Sequence, residues 1–199
     1  MNKYSIITAI AIIVIVTPFV FSAMNIVGSQ QLEYRWHSPG VFSFFTMMNH
    51  GETEFCNTLP FWMTFEKFEV SVFYTERYLG SYVVKPLTLG PTSSGVQEGI
   101  FASEDIEEAQ HIFMNFDFSF DSGELRMDAN QFVVGVQVDT PILGIIPYSS
   151  TTYISGFEFD EKMNAEDLTC NQSLLLPAFD ISAKMIAIAP VTINAAITP

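Results

Sequence analysis

Between Lys3 and Glu33 the chain carries no charged residue, and Ile6 to Met24 is an almost unbroken apolar run interrupted by Thr8, Thr17, Pro18 and Ser22. No polar stripe marks a solvent face, so the run predicts a helix for hydrocarbon, where about 20 apolar residues span the bilayer core. Such a run is either a signal peptide or an uncleaved signal anchor. A cut after Ala23 would put Phe21 at position −3 and a cut after Ser22 would put Val20 there, and the run exceeds the usual h-region of about 7–15 residues. The anchor is favoured. Lys3 precedes the run and acidic residues follow it, so the positive-inside rule places the N-terminus in the cytoplasm and the remainder outside, at a cell membrane.

Residues 28–54 mix Ser, Gln, Gly, Glu and Thr with aromatics and read as a membrane-proximal stalk after the 1–27 anchor. From Phe55 the period becomes two. Phe68, Val70, Val72 and Tyr74 alternate with Lys67, Glu69 and Ser71, with Phe73 the exception. Ile112, Met114, Phe116, Phe118 and Phe120 alternate with Phe113, Asn115, Asp117 and Ser119; a turn at Asp121-Ser122-Gly123-Glu124 leads to Phe132, Val134, Val136 and Val138. Tyr153, Ser155, Phe157 and Phe159 form a further candidate strand, and Ile181 to Ile188 a last one. Period-two patterning in β-branched and aromatic residues predicts half-buried strands. Pro86, Gly90-Pro91, Ser94-Gly95, Asp139-Thr140-Pro141 and Gly144 supply breaks. The only helical signal after the anchor is Ser103 to Ala109, a turn or two with Ser103 as cap and acids suited to an N-terminal dipole. The pattern predicts one all-β, immunoglobulin- or fibronectin-like β-sandwich over 55–190, preceded by one transmembrane helix and followed by a 191–199 tail.

Composition narrows the function. Of 199 residues, 22 are acidic and 8 basic, a formal net charge of −14. The basic residues after Lys3 are scattered singly, which excludes nucleic acid as a main partner. With 49% apolar residues the chain can bury a core. Cys56 and Cys170 form no CxxC pair and cannot alone make a tetrahedral zinc site. In an oxidising compartment they predict one disulfide, with two separate buried thiols as the alternative. Asn171-Gln172-Ser173 fits the N-glycosylation pattern beside Cys170.

No hydrolase, metalloprotease, phosphate-loop or dinucleotide signature is present. His111 reads as a strand-edge residue. His37 and His50, near Met47, Met48, Glu52, Glu54 and Cys56, combine imidazole and thioether as Cu(I) sites do, yet match no compact copper spacing, and Met47-Met48 beside Phe44-Phe45 reads as packing surface. Glu104, Asp105, Glu107 and Glu108 form the densest acidic cluster but lack the EF-hand pattern, so a solvated loop is expected. Asp117 and Asp128 are expected on polar faces or turns. No catalytic, cofactor-binding or metal-binding residue is assigned.

Asn57-Thr58-Leu59-Pro60 precedes the first strand of the predicted sandwich. Tyr78-Leu79-Gly80 comes before Pro86 and Gly90-Pro91, and Asp139-Thr140-Pro141-Ile142-Leu143-Gly144 follows the Phe132–Val138 strand. In that order these segments resemble the late-embryogenesis-abundant type 2 family, also called the water-stress and hypersensitive-response (WHy) domain, in a membrane-anchored prokaryotic form. The resemblance covers about residues 55–160, departs in the separation of Asn57 from Pro60, and leaves 161–199 unexplained. It implies a fibronectin-like sandwich, often membrane-anchored, associated with stress protection, without catalytic residues. Gly80 and Gly144 suit turn geometry and Pro141 suits a strand end.

The resulting expectation is a non-enzymatic, membrane-anchored extracytoplasmic module. It would act in stress protection through its hydrated acidic face, or bind a protein partner at the envelope through a sheet edge or aromatic surface. Phe73 and Phe113, on faces that otherwise read polar, are the aromatics expected at such a surface. The alternatives are an accessory copper protein using His37 and His50, or a subunit of a membrane complex.

Overall fold

The computed structural model describes residues 3–122, 128–143, 146–166, 168 and 170. In chain order the elements are α1 (Lys3–Gln30), β1 (Glu33–Trp36), α2 (Phe44–Met47), β2 (Gly51–Asn57), β3 (Met63–Phe65), β4 (Lys67–Tyr74), β5 (Arg77–Val84), β6 (Leu87–Leu89), β7 (Ser93–Ala102), α3 (Ile106–Ser122), β8 (Phe132–Ile142), β9 (Ile146–Ser155) and α4 (Gly156–Met163). Seven strands form one curled, half-barrel sheet in the order β1-β2-β7-β5-β4-β8-β9, every pair antiparallel, while β3 and β6 pair separately. The chain is therefore mostly β, as its patterning predicts. In place of two packed sheets of similar size, the inner face of one curled sheet is covered by α2, α3, α4 and the short β3–β6 pair.

The alternation in β4 and β8 sets the inner face: Phe68, Val70, Val72, Phe132, Val134, Val136 and Val138 are buried. A cluster of rings fills the space above them. Phe44 lies 4.8 Å from Phe132 and 5.2 Å from Phe116, both edge-on, and Phe116 stacks on Phe132 at 4.1 Å. Edge-to-face and offset contacts of this kind add to area burial.

Three expectations are corrected here. Residues 28–54 are not a stalk: β1 and β2 are sheet strands, and Trp36, Phe42, Phe44 and Met47 lie in the core. Residues 112–120 belong to helix α3, whose buried Ala109, Phe113 and Phe116 recur at helical spacing. Its N-terminus is capped by Asp105, whose Oδ1 accepts the Glu108 N–H at 3.1 Å, while Ser103 Oγ accepts from the Asp105 N–H. Phe113 is consequently buried among Phe44, Phe101 and Phe132 instead of exposed. The candidate strand at 153–159 divides, with Tyr153 and Ser155 ending β9 and Phe157 and Phe159 in α4. Smaller shifts follow. Ser94-Gly95 lies within β7, and β8 continues through Pro141, which pairs with Pro147. The expected strand Ile181–Ile188, the Asn171 triplet, Gly144 and the 191–199 tail lie outside the described residues.

The C-terminal turns of α1 are part of the fold. From Ile6 to Phe21 the helix is exposed, then Ser22, Gly28 and Ser29 are buried. Leu143 N–H donates to Ser22 Oγ at 2.8 Å and Thr64 N–H to Asn25 Oδ1 at 3.1 Å. Gly28 is required by close approach, since a Cβ there would sit 2.8 Å from Met63 Cγ.

Cys56 and Cys170 are joined, with Cα atoms 5.5 Å apart. The bridge pins the segment after α4 to buried β2, beside β1, where Arg35 binds both Glu54 and the Glu166 carbonyl. Closing a loop across 114 residues restricts the unfolded chain. Cys170→Ala should lower unfolding free energy by about 2–5 kcal/mol in detergent-solubilised full chain without reductant, and reductant should erase the difference. Coincident denaturation curves without reductant would contradict the bridge.

Candidate functional site

Opposite the ring-filled interior, the outer face of the sheet carries a cleft of about 630 Å³ lined by Phe73, Thr75, Glu76, Asn130, Gln131, Val133 and Tyr153. Sheet register builds it. Phe73 on β4 stands opposite Tyr78 on β5 and Val133 on β8, while Tyr153 on β9 stands opposite Gly135 on β8. The ring of Phe73 lies 5.7 Å from that of Tyr78 and 6.4 Å from that of Tyr153. Gly135 is the floor, because a Cβ there would meet Tyr153 Cε1 at 2.9 Å and push the ring aside. Tyr153 is 66% exposed, unusual for a large ring on a sheet that buries so many.

The mouth of the cleft is a strained turn. Thr75 and Glu76 link β4 to β5 with φ of 49° and 66°, the left-handed values a two-residue hairpin requires and that Asn-Gly would adopt at little cost. A β-branched Thr there is strained and is held by its N–H donating to the Gln131 carbonyl at 3.1 Å. Asp128 orders the other wall: its carboxylate accepts the Asn130 N–H, the Asn130 side-chain amide and the Gln131 side-chain amide at 3.0–3.2 Å. One N–H of each side-chain amide is held by Asp128, and the carbonyl oxygens of both side chains stand free of it as acceptors. Glu76 adds a carboxylate, so ring faces meet a rim rich in acceptors.

A second polar cluster is internal. Asp117 on α3 accepts the Phe44 and Phe45 N–H groups at 3.1 and 2.9 Å, holding the first turn of α2. Asn164 accepts the Phe42 N–H at 2.7 Å, and its side-chain amide lies 3.3 Å from both the Phe42 carbonyl and Asp160. Burial pushes Asp117 above the ordinary carboxylate range, and burial, with the Asp117 charge adding, pushes Asp160 up to about 6. These carboxylates anchor the 42–45 segment, so Asp117 is not a residue of a polar strand face.

The weighed metal ligands are not gathered into one cluster. Met47 is buried against the rings, Cys56 is in the disulfide, and His37 Nδ1 lies 3.8 Å from Glu54. Among the described residues no three His, Cys, Asp or Glu side chains form a metal-sized group. In the acidic cluster, Asp105 caps α3 and Glu108 pairs with Arg77 at 2.5 Å. Asn57, first of the segments behind the WHy resemblance, has a structural role: its amide donates to the Phe61 and Gly90 carbonyls and its Oδ1 accepts from Leu59. Gly80 takes a φ of 152° near the register shift between Val72 and Phe73. The sequence had singled out Phe73; Gly135 and Tyr153 join it only through register across three strands.

No family model matches the chain, and no curated protein matches it. A solved structure of a protein from Archaeoglobus fulgidus is similar at a TM-score of 0.30 and 8% identity, over 63% of this chain and 94% of that one. At that level neither family nor function transfers.

The buried carboxylates make a pH prediction. A folded-state value of about 6 for Asp160 lies above the unfolded one, so the folded chain holds the proton longer. Stability therefore falls as pH rises from about 4 to about 6 and then levels. Asp160→Asn should flatten that slope in denaturant titrations at stepped pH. An unchanged slope would remove Asp160 as its source.

Proposed function

We propose that the chain is a membrane-tethered, non-catalytic binding module that holds a basic segment of a protein partner at the extracytoplasmic face of the envelope. The observation that carries this reading is the outer cleft, where the rings of Phe73 and Tyr153 line the same space as the Glu76 carboxylate, Asn130 and Gln131, with Tyr78 packed behind Phe73. Ring faces attract Lys and Arg head groups, and carboxylate and carbonyl oxygens accept their protons. A net charge of −14 would steer a basic partner toward the surface. An N-terminal helix long and apolar enough to span a membrane supports the tether. The reading keeps the role implied by the WHy resemblance, a protective module without catalytic residues, and adds a surface through which it would act.

A photo-crosslinking residue at Tyr78, which is 46% exposed and lies against the cleft residue Phe73, tests the proposal in full chain in native membranes. Discrete adducts are expected, weakened by raised salt, by Tyr153→Ala and by Glu76→Lys, each by severalfold. Absence of adducts, or adducts indifferent to both substitutions, would contradict the reading.

A further inference from the structure

We infer that the β8–β9 hairpin is a second membrane contact, seated in the lipid interface beside α1 and fixing the orientation of the sheet. The inference rests on the reading of α1 as a bilayer-spanning helix. From Ile6 to Phe21 the exposed helix is about 24 Å long. The hydrocarbon core is about 30 Å thick. A helix of that reach puts its far boundary at or beyond Ser22, the residue at which the exposed run ends and burial in the fold begins. Ser22 is where Leu143 docks, through its N–H at 2.8 Å. The hairpin end therefore cannot stand clear of the interface.

Its composition matches the position. No charged residue occurs from Thr140 to Phe157. The end of the ladder pairs Ile142 with Ile146, Pro141 with Pro147 and Thr140 with Tyr148, and Ile146 is 50% exposed. An exposed Ile next to a Tyr is the composition of an interfacial contact. The charged groups near the adjoining start of β4 are Glu66, Asp139 and Lys67, whose ammonium pairs with Glu69. The contact is thus with acyl chains and not with anionic head groups. Because β8 runs from Phe132 to the hairpin, and β4 from Lys67 to Tyr74 antiparallel to it, this seat turns the Phe73 and Thr75 end of the sheet away from the bilayer.

Brominated-acyl-chain quenching tests the seat in full chain reconstituted into phosphatidylcholine vesicles. One reporter Trp is added at Ile146, Tyr153 or Phe19 in a Trp62→Phe background, and buried Trp36 is retained as the common baseline. The inference expects severalfold stronger quenching of Ile146→Trp and Phe19→Trp than of Tyr153→Trp. Quenching at position 19 with none at 146 would overturn the seat and leave the anchor standing. No quenching at 19 would overturn the anchor and the seat with it. Since Ile146 is half exposed, the reporter there does not disturb the core.

Discussion

Ser22, Asn25 and Gly28 recur at helical spacing on one face of α1, where a helix composed for hydrocarbon meets a sheet composed for water. A backbone N–H at the edge of a fold needs an acceptor. Here two of them, from Leu143 and Thr64, find theirs on α1 side chains. Ser22 Oγ also donates to the Pro18 carbonyl, so the hydroxyl is satisfied on both sides. Gly28 adds a steric term, letting Met63 lie against the helix backbone. A helix joined this way does not hang on a loose linker: the sheet takes its direction from the helix.

The interior solves a different problem. A four-residue helix such as α2 has almost no stability of its own, because most of its N–H groups lack intrahelical partners. Asp117 and Ser43 supply them, and Phe44, buried against Phe116, Phe132 and Phe159, gives the turn its packing energy. The cost is a pair of partly buried carboxylates: burial holds both above the ordinary range, and the Asp117 charge adds to the effect at Asp160. The sheet is thus filled from within by rings and leaves its outer face free to carry the cleft.

What could be read in advance follows the same physics. In β4 and β8 one face is buried and the other is not, so alternation is plain. In 106–122 apolar residues occur at both helical and strand spacing, and only the Asp105 cap with acids in the first turn distinguishes the two. Trp36, Phe42, Phe44 and Met47 show no regular period because they reach the core from a short strand, a loop and a single helical turn. The disulfide was legible because two lone cysteines make neither a CxxC pair nor a zinc site, and the apolar run, read as an anchor, implied an oxidising compartment. Phe73 was visible as an aromatic on a polar face. The rest of the cleft was not, since Val133, Gly135 and Tyr153 meet Phe73 only through strand register.

The docking of α1 into the fold is most directly tested by a cysteine pair at Gly28 and Met63, where the Cβ built at 28 lies 3.2 Å from that of Met63. Bridged cysteines hold their Cβ atoms at about 3.5–4.5 Å, so a small adjustment suffices. With full chain in membranes, mild oxidation followed by peptide mass spectrometry should give an intramolecular 28–63 link in most molecules. Val27→Cys, which is exposed on the helix, should give little when paired with Met63→Cys. No 28–63 link, or equal linking from 27, would mean that the helix and the sheet are separate bodies.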